Sequence, residues 1–175
     1  MHRWTHWLSL ATVALAIATP AAEAAAAPKR GELFPIFTAL DVTGQPQSTA
    51  GFRGAPTLIV AITERGAGDA MRAWFEGATK RAPSVRQKGI ISVSVPFFVS
   101  ESYARSKARE KIPQQYWHDN LFDSHLSMAK GLGLSESDVP WVFVLDAQGK
   151  IVAQVHALAE TPAANVIWKS IEPPK

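Results

Sequence analysis

The chain has 175 residues, 47% hydrophobic and 19% charged, which is enough apolar material for one packed interior and too little charge for a disordered chain. Its 18 lysines and arginines barely exceed its 15 aspartates and glutamates. They form no basic stripe interleaved with aromatics, so nucleic acid is excluded as a partner. It contains no cysteine, which removes disulfides, thiol chemistry and thiolate metal ligands together.

The N-terminus reads as a signal peptide over 1–24, with cleavage near 24–26. Arg3 precedes the apolar run Trp7 to Ala18, which is shorter than the ~20 residues a membrane-spanning helix needs. Pro20 and the small residues around Ala24 and Ala26 then resemble a signal-peptidase site, so the mature chain is expected to begin at Ala25 or Ala27. The expected destination is the periplasm, with no stable membrane insertion once the leader is removed. An uncleaved anchor is the alternative.

Residues 28–33 read as a tether, 34–171 as one domain and 172–175 as a tail. Phe37, Leu40 and Val42 lead to Thr43-Gly44-Gln45-Pro46, a turn in which Gly44 takes positive φ without steric cost; together they predict an N-terminal β-hairpin. After Gly54-Ala55-Pro56, the run Thr57 to Ile62 is apolar on both faces, as expected of a central strand covered on both sides. Gly66-Ala67-Gly68 forms a loop with Asp69 as helix cap, and Met71, Trp74, Phe75 and Ala78 follow at helical spacing to about Lys80.

Ile90, Ile91, Val93 and Val95 predict a second buried strand ended by Pro96. Helix formers run from Ser100 to Lys111 and stop at Pro113. Asp123 or Ser124 is placed to cap a short helix reaching Leu132, with Gly133 in the left-handed terminal position. Trp141 to Leu145, the turn Asp146 to Lys150, and Ile151 to Val155 predict an antiparallel hairpin. Thr161-Pro162 opens a closing helix whose buried stripe is Val166, Ile167 and Ile171.

Five stretches carry a resemblance: Phe37 to Pro46, Gly54-Ala55-Pro56, Asp123 to Gly133, Val139-Pro140 before Trp141 to Asp146, and the Gly149 turn. Over 34–171 the chain resembles the thioredoxin-like redoxins of the bacterial periplasm, the group around TlpA and the peroxiredoxins. The resemblance implies an α/β fold, thioredoxin-like, with a central mixed sheet flanked by helices and an N-terminal hairpin. It also implies a cis Val139–Pro140 bond facing the active-site loop. The family's Cys-x-x-Cys falls on Arg65-Gly66-Ala67-Gly68, and neither arginine nor glycine replaces a thiolate nucleophile. The chain is similar in kind to cysteine-free periplasmic redoxins of the YtfJ type.

His118, Asp119, Asp123 and His125 lie close in sequence, but their spacing matches no zinc or copper ligand set, so no metal and no cofactor is expected. There is no Gly-x-Ser-x-Gly elbow and no phosphate loop. Trp74 and Trp168 fall in helical stripes and read as core; Trp141 and Tyr116-Trp117 are interface candidates. The charges at Arg105, Lys107, Arg109 and Lys111 read as a solvated helix face. Arg65, at the positive end of the first helix, is a candidate for an anion or an acidic peptide, or else a partner of Glu64 or Asp69.

The leading expectation is a pseudoenzyme that binds a peptide or protein partner, in assembly or chaperone-like support. Its groove is lined by Thr63, Glu64, Arg65, Gly66, Ala67, Gly68, Val139, Pro140 and Trp141. The alternatives are an accessory protein of a redox pathway and an enzyme with a non-thiol site at Glu64, Arg65 and His125. The partner's identity and the oligomeric state are left open.

Overall fold

Six consecutive residues, Thr57–Ile62, form β3 and all six are buried, the signature of a strand covered on both faces. The computed structural model describes residues 26–172; the leader 1–24, a cut after Ala24 and the tail residues 173–175 lie outside that range. A small antiparallel hairpin, β1 (Thr38–Leu40) and β2 (Pro46–Ser48), precedes β3, and Gly44 takes φ 89° in its turn. Then come α1 (Gly68–Arg81), β4 (Arg86–Ser92), α2 (Glu101–Arg109), β5 (Asn120–Asp123), α3 (Ser127–Gly131), β6 (Trp141–Leu145), β7 (Ile151–His156) and α4 (Asn165–Ile171).

The main sheet has the order β5-β4-β3-β6-β7. β3, β4 and β5 run parallel, while β6 runs antiparallel to both β3 and β7. The mixed sheet, its flanking helices and the N-terminal hairpin agree with the expected architecture. Side chains along β3 alternate between two cores. Leu58, Val60 and Ile62 pack with Met71, Trp74 and Ala78 of α1 and Ile167 and Trp168 of α4. Ile59 and Ala61 face Leu121, Met128, Phe143 and the N-terminal Phe34 and Phe52. Trp74 and Trp168 pack between α1 and α4 with ring centroids 4.5 Å apart and planes tilted by 36°, and both are buried, so both are core residues, as their helical spacing predicts.

Several local expectations are revised. Asp69 is not the cap of α1: a 3-10 turn over Arg65–Ala67 leads into the helix, its N-cap is Ala67, and Asp69 stands in the first turn. There it pairs with Arg72 at 3.3 Å, and its negative charge complements the helix dipole. The N-cap of α3 is Leu126, at φ 58° and without a side-chain cap, so neither Asp123 nor Ser124 takes that position; the Asp123 carboxylate instead gathers the Met128 N–H at 2.9 Å, the Ser92 hydroxyl and the His125 N–H. Strand β5 follows a 3-10 helix over Gln114–Asp119. Residues in the expected tether meet the sheet, with Gly31 N–H donating to the Ile151 carbonyl and Ile151 N–H to that of Glu32.

The β4–β5 pair depends on one close approach. A Cβ at Gly89 would sit 1.9 Å from Asn120 Oδ1, so no other residue fits without displacing the asparagine. Asn120 Nδ2 donates to the Tyr116 carbonyl, which fixes the amide orientation because a flipped amide would set two oxygens together. Asn120 Oδ1 is thereby left buried with no hydrogen-bond partner among the described residues.

Candidate functional site

The C-terminal end of β3 and the N-terminal end of β6 meet because the two strands are antiparallel, with Ala61 opposite Trp141. The loop leaving β3 and the loop entering β6 therefore emerge at the same end of the sheet. They are joined by Thr63, whose hydroxyl is 3.1 Å from the Ser135 carbonyl and 3.3 Å from that of Ser137 and accepts from the Ser137 N–H at 2.8 Å. Thr63 is buried, so this bracket is shielded from water and each bond in it is correspondingly costly to lose.

A second bracket holds the far side of the same loop. The Trp141 indole lies flat on the His156 imidazole, with centroids 4.1 Å apart and planes 2° from parallel, and its Nε1–H points to the Ser135 carbonyl at 3.3 Å. His156 Nε2 is 3.0 Å from both the Val139 carbonyl and Ser137 Oγ. A carbonyl only accepts, so Nε2 carries the proton. It is then no base for Ser137, whose Oγ also accepts from the Val139 N–H. The serine and histidine brace a loop and do not form a nucleophile pair.

The nine expected groove residues divide by exposure. Glu64, Arg65 and Gly66 are exposed, Gly68, Val139 and Trp141 are partly exposed, and Thr63, Ala67 and Pro140 are buried. The last three shape the surface without offering side chains to a partner. No carboxylate lies within ion-pair distance of Arg65 among the described residues, so neither Glu64 nor Asp69 neutralises it.

Pro140 brings a correction. Among the described residues no peptide bond is cis, so Val139–Pro140 is trans and the geometry implied by the resemblance is not found. The trans form is the lower in energy for an X–Pro bond. Here the Thr63 and His156 contacts secure the preceding carbonyls at Ser135, Ser137 and Val139 in that arrangement.

The histidines of the 118–125 segment separate. His118 Nδ1 is bound to Asp41 Oδ2, while Asp119 pairs with Lys88. His125 bridges to Ser94 beyond β4. Among the described residues no group of three or more histidines and carboxylates is placed to hold a metal ion. His156 and the Ser135–Ser137 loop were not singled out from sequence.

No protein-family model matches the chain, and no curated protein matches its sequence significantly. Solved structures do match. A thiol peroxidase from Chromobacterium violaceum superposes with TM-score 0.57 at 20% identity, covering 83% of this chain and 87% of that one. The fold is thioredoxin-like. A thioredoxin domain of a thiol-disulfide oxidoreductase from Bacteroides vulgatus gives TM-score 0.55 at 16% identity, covering 83% of this chain and 100% of its own. A SCO1/SenC family lipoprotein from Bacillus anthracis gives 0.54 at 13%, covering 81% and 95%. At such identities the thioredoxin-like likeness extends to the fold, and the chain itself lacks cysteine.

Proposed function

We propose that this is an exported, non-catalytic thioredoxin-like domain that holds a peptide or protein partner at the surface formed by Glu64 to Gly68 and Val139 to Trp141. The observation that carries the reading is the double bracing of the Ser135–Pro140 loop by Thr63 and by the Trp141–His156 stack. A loop held this firmly beside an exposed arginine and a partly exposed tryptophan is a preorganised surface, and preorganisation lowers the ordering cost of binding. Tryptophan and arginine are also the residues that most often anchor interfaces. The absent cysteines remove thiol exchange and leave the docking face. A role in assembly or chaperone-like support of a periplasmic complex fits such a face.

Partner recovery tests the proposal. After in-cell crosslinking of the full chain, Arg65→Glu and Trp141→Ala each lower the yield of one defined crosslinked product while both variants remain folded. Unchanged yield in both retires the surface.

A second reading, an accessory protein of a thiol-redox pathway, is favoured by the structural likeness to a thiol peroxidase and to a domain of a thiol-disulfide oxidoreductase. It predicts that the crosslinked product is a cysteine-bearing reductase. It further requires that the isolated protein be silent in insulin-reduction and peroxide assays.

A further inference from the structure

On the opposite side of α1 from α4, an elongated cleft of ≈ 800 Å³ runs between α1 and α2 over β4 and β5. Its walls are apolar: Phe75 from α1, Ala104 and Ala108 from α2, and Ile91, Val93 and Phe122 from the sheet side. The cleft exists because α2 buries no side chain completely. Two alanines, Ala104 and Ala108, where larger residues would fill the space, are the α2 side chains packed against the core on this side. This volume is that of a small-ligand site.

The charged residues around it are unequal. Arg65, Arg72, Lys80, Lys107 and Lys111 line the cleft against the two carboxylates Asp69 and Glu76. Asp69 is taken by Arg72. Lys80 and Lys111 have no carboxylate within ion-pair distance among the described residues. Lys80 is in the last turn of α1 and Lys111 just follows α2, so both stand at the end of the cleft where β4 and β5 begin. Asn120 is at that end too, 4% exposed, but its Oδ1 is turned onto Gly89 and closed to the cleft. At the other end, between the cleft-lining Pro96 and Val99, Phe97 is 100% exposed and Phe98 76%.

An apolar channel with two unpaired ammonium groups at one end defines a ligand by complementarity. We infer that the cleft binds a single-chain amphipathic anion, a long-chain carboxylate in chemical class. Its tail lies along Phe75, Ile91 and Ala104, and its carboxylate meets Lys80 and Lys111. A cationic amphiphile of equal length gains the same burial but meets like charge at the end. The inference does not depend on the docking surface proposed above, which shares only the Arg65–Gly68 segment with the cleft.

Titration calorimetry of the full mature chain with dodecanoate, kept below its micelle concentration, tests this against dodecyltrimethylammonium. The anion is expected to bind at least about tenfold more tightly than the cation, and Lys111→Glu to weaken the anion by about tenfold, the scale of one charge-assisted contact. Ala104→Phe, which fills the channel, is expected to abolish binding, with folding checked by circular dichroism. Equal binding of cation and anion overturns the inference, as does binding unchanged in Lys111→Glu or in a folded Ala104→Phe, or no binding by the wild-type chain. If Ala104→Phe does not fold, the cation comparison and the surface variant Lys111→Glu decide the matter.

Discussion

The buried carboxylate of Asp41 accepts a hydrogen bond from His118 Nδ1 at 2.7 Å across 77 residues of sequence, tying the N-terminal hairpin to the segment that leads into β5. Burial of Asp41 raises its pKa, but the Thr43 hydroxyl, His118 and the N–H groups of Gln45 and Thr43 outweigh it and hold the carboxyl down at about 2, from 3.8. A group whose folded pKa is depressed stabilises the fold fully above its unfolded pKa and ceases to do so as pH falls through the folded value. The contribution is therefore complete above pH ~4 and gone near pH ~2, with a size of roughly 2 kcal/mol. Asp123, lowered although desolvation opposes it, by the Ser92 hydroxyl and the Met128 N–H first among its partners, acts in the same direction. Urea unfolding of Asp41→Asn is expected to show a loss of roughly 2 kcal/mol at pH 7 and a shallower decline between pH 4 and pH 2 than wild type. An equally steep decline contradicts this.

The Thr63 bracket gives a second expectation. Thr63→Val keeps the shape and removes a buried hydroxyl, leaving the Ser137 N–H without its acceptor, at a cost of about 1–3 kcal/mol. Amide hydrogen exchange at Ser137 is expected to accelerate well beyond that in β3 or β6. Unaltered protection of Ser137 shows that something else holds the loop.

Trp74 and Trp141 separate core from surface. Trp74 is 0% exposed and donates its Nε1–H to the Ala157 carbonyl, so Trp74→Ala is expected to cost about 3–5 kcal/mol. Trp141 is only partly buried, and its replacement by alanine forfeits chiefly the His156 stack and some packing, about 1–2 kcal/mol. Comparable losses in the two variants would make Trp141 a core residue.

Gly89→Ala is expected to destabilise by about 1–3 kcal/mol, the scale of overpacking, because its Cβ collides with Asn120 Oδ1. A double variant with Asn120→Ala, which removes the colliding atoms, is expected to recover part of that loss. No recovery would mean that Gly89 matters for another reason.

The fold was legible where hydrophobic pattern and turn chemistry agree. Thr57 to Ile62, bounded by Pro56 and polar residues, reads as a buried strand with its limits intact, and the Asp146 to Lys150 turn announces β6 and β7. Strand β5 is short, and its register with β4 depends on Gly89 receiving Asn120, a tertiary fit with no periodicity to reveal it. The expected groove lies at one end of the sheet, but its bracing was hidden. A register shift between Val144 and Leu145 makes counting back from the turn pair Trp141 with Val155, whereas the strands pair it with His156. Thr63 gave no signal of its role either, because its partners are more than 70 residues away. The trans Val139–Pro140 bond shows the reach of family resemblance, which transferred the architecture and not this local geometry.

The most direct test of a partner surface at the β3–β6 end is site-specific photocrosslinking in cells, with the photoreactive residue placed in turn at Arg65, Val139 and Gln148. Gln148 is in the turn after β6, at the opposite end of that strand from Trp141. The account predicts that Arg65 and Val139 give the same discrete crosslinked product, that Gln148 gives none, and that Trp141→Ala abolishes the product in a chain that still melts cooperatively. Products of equal yield from all three positions, or none from Arg65 and Val139, would contradict it.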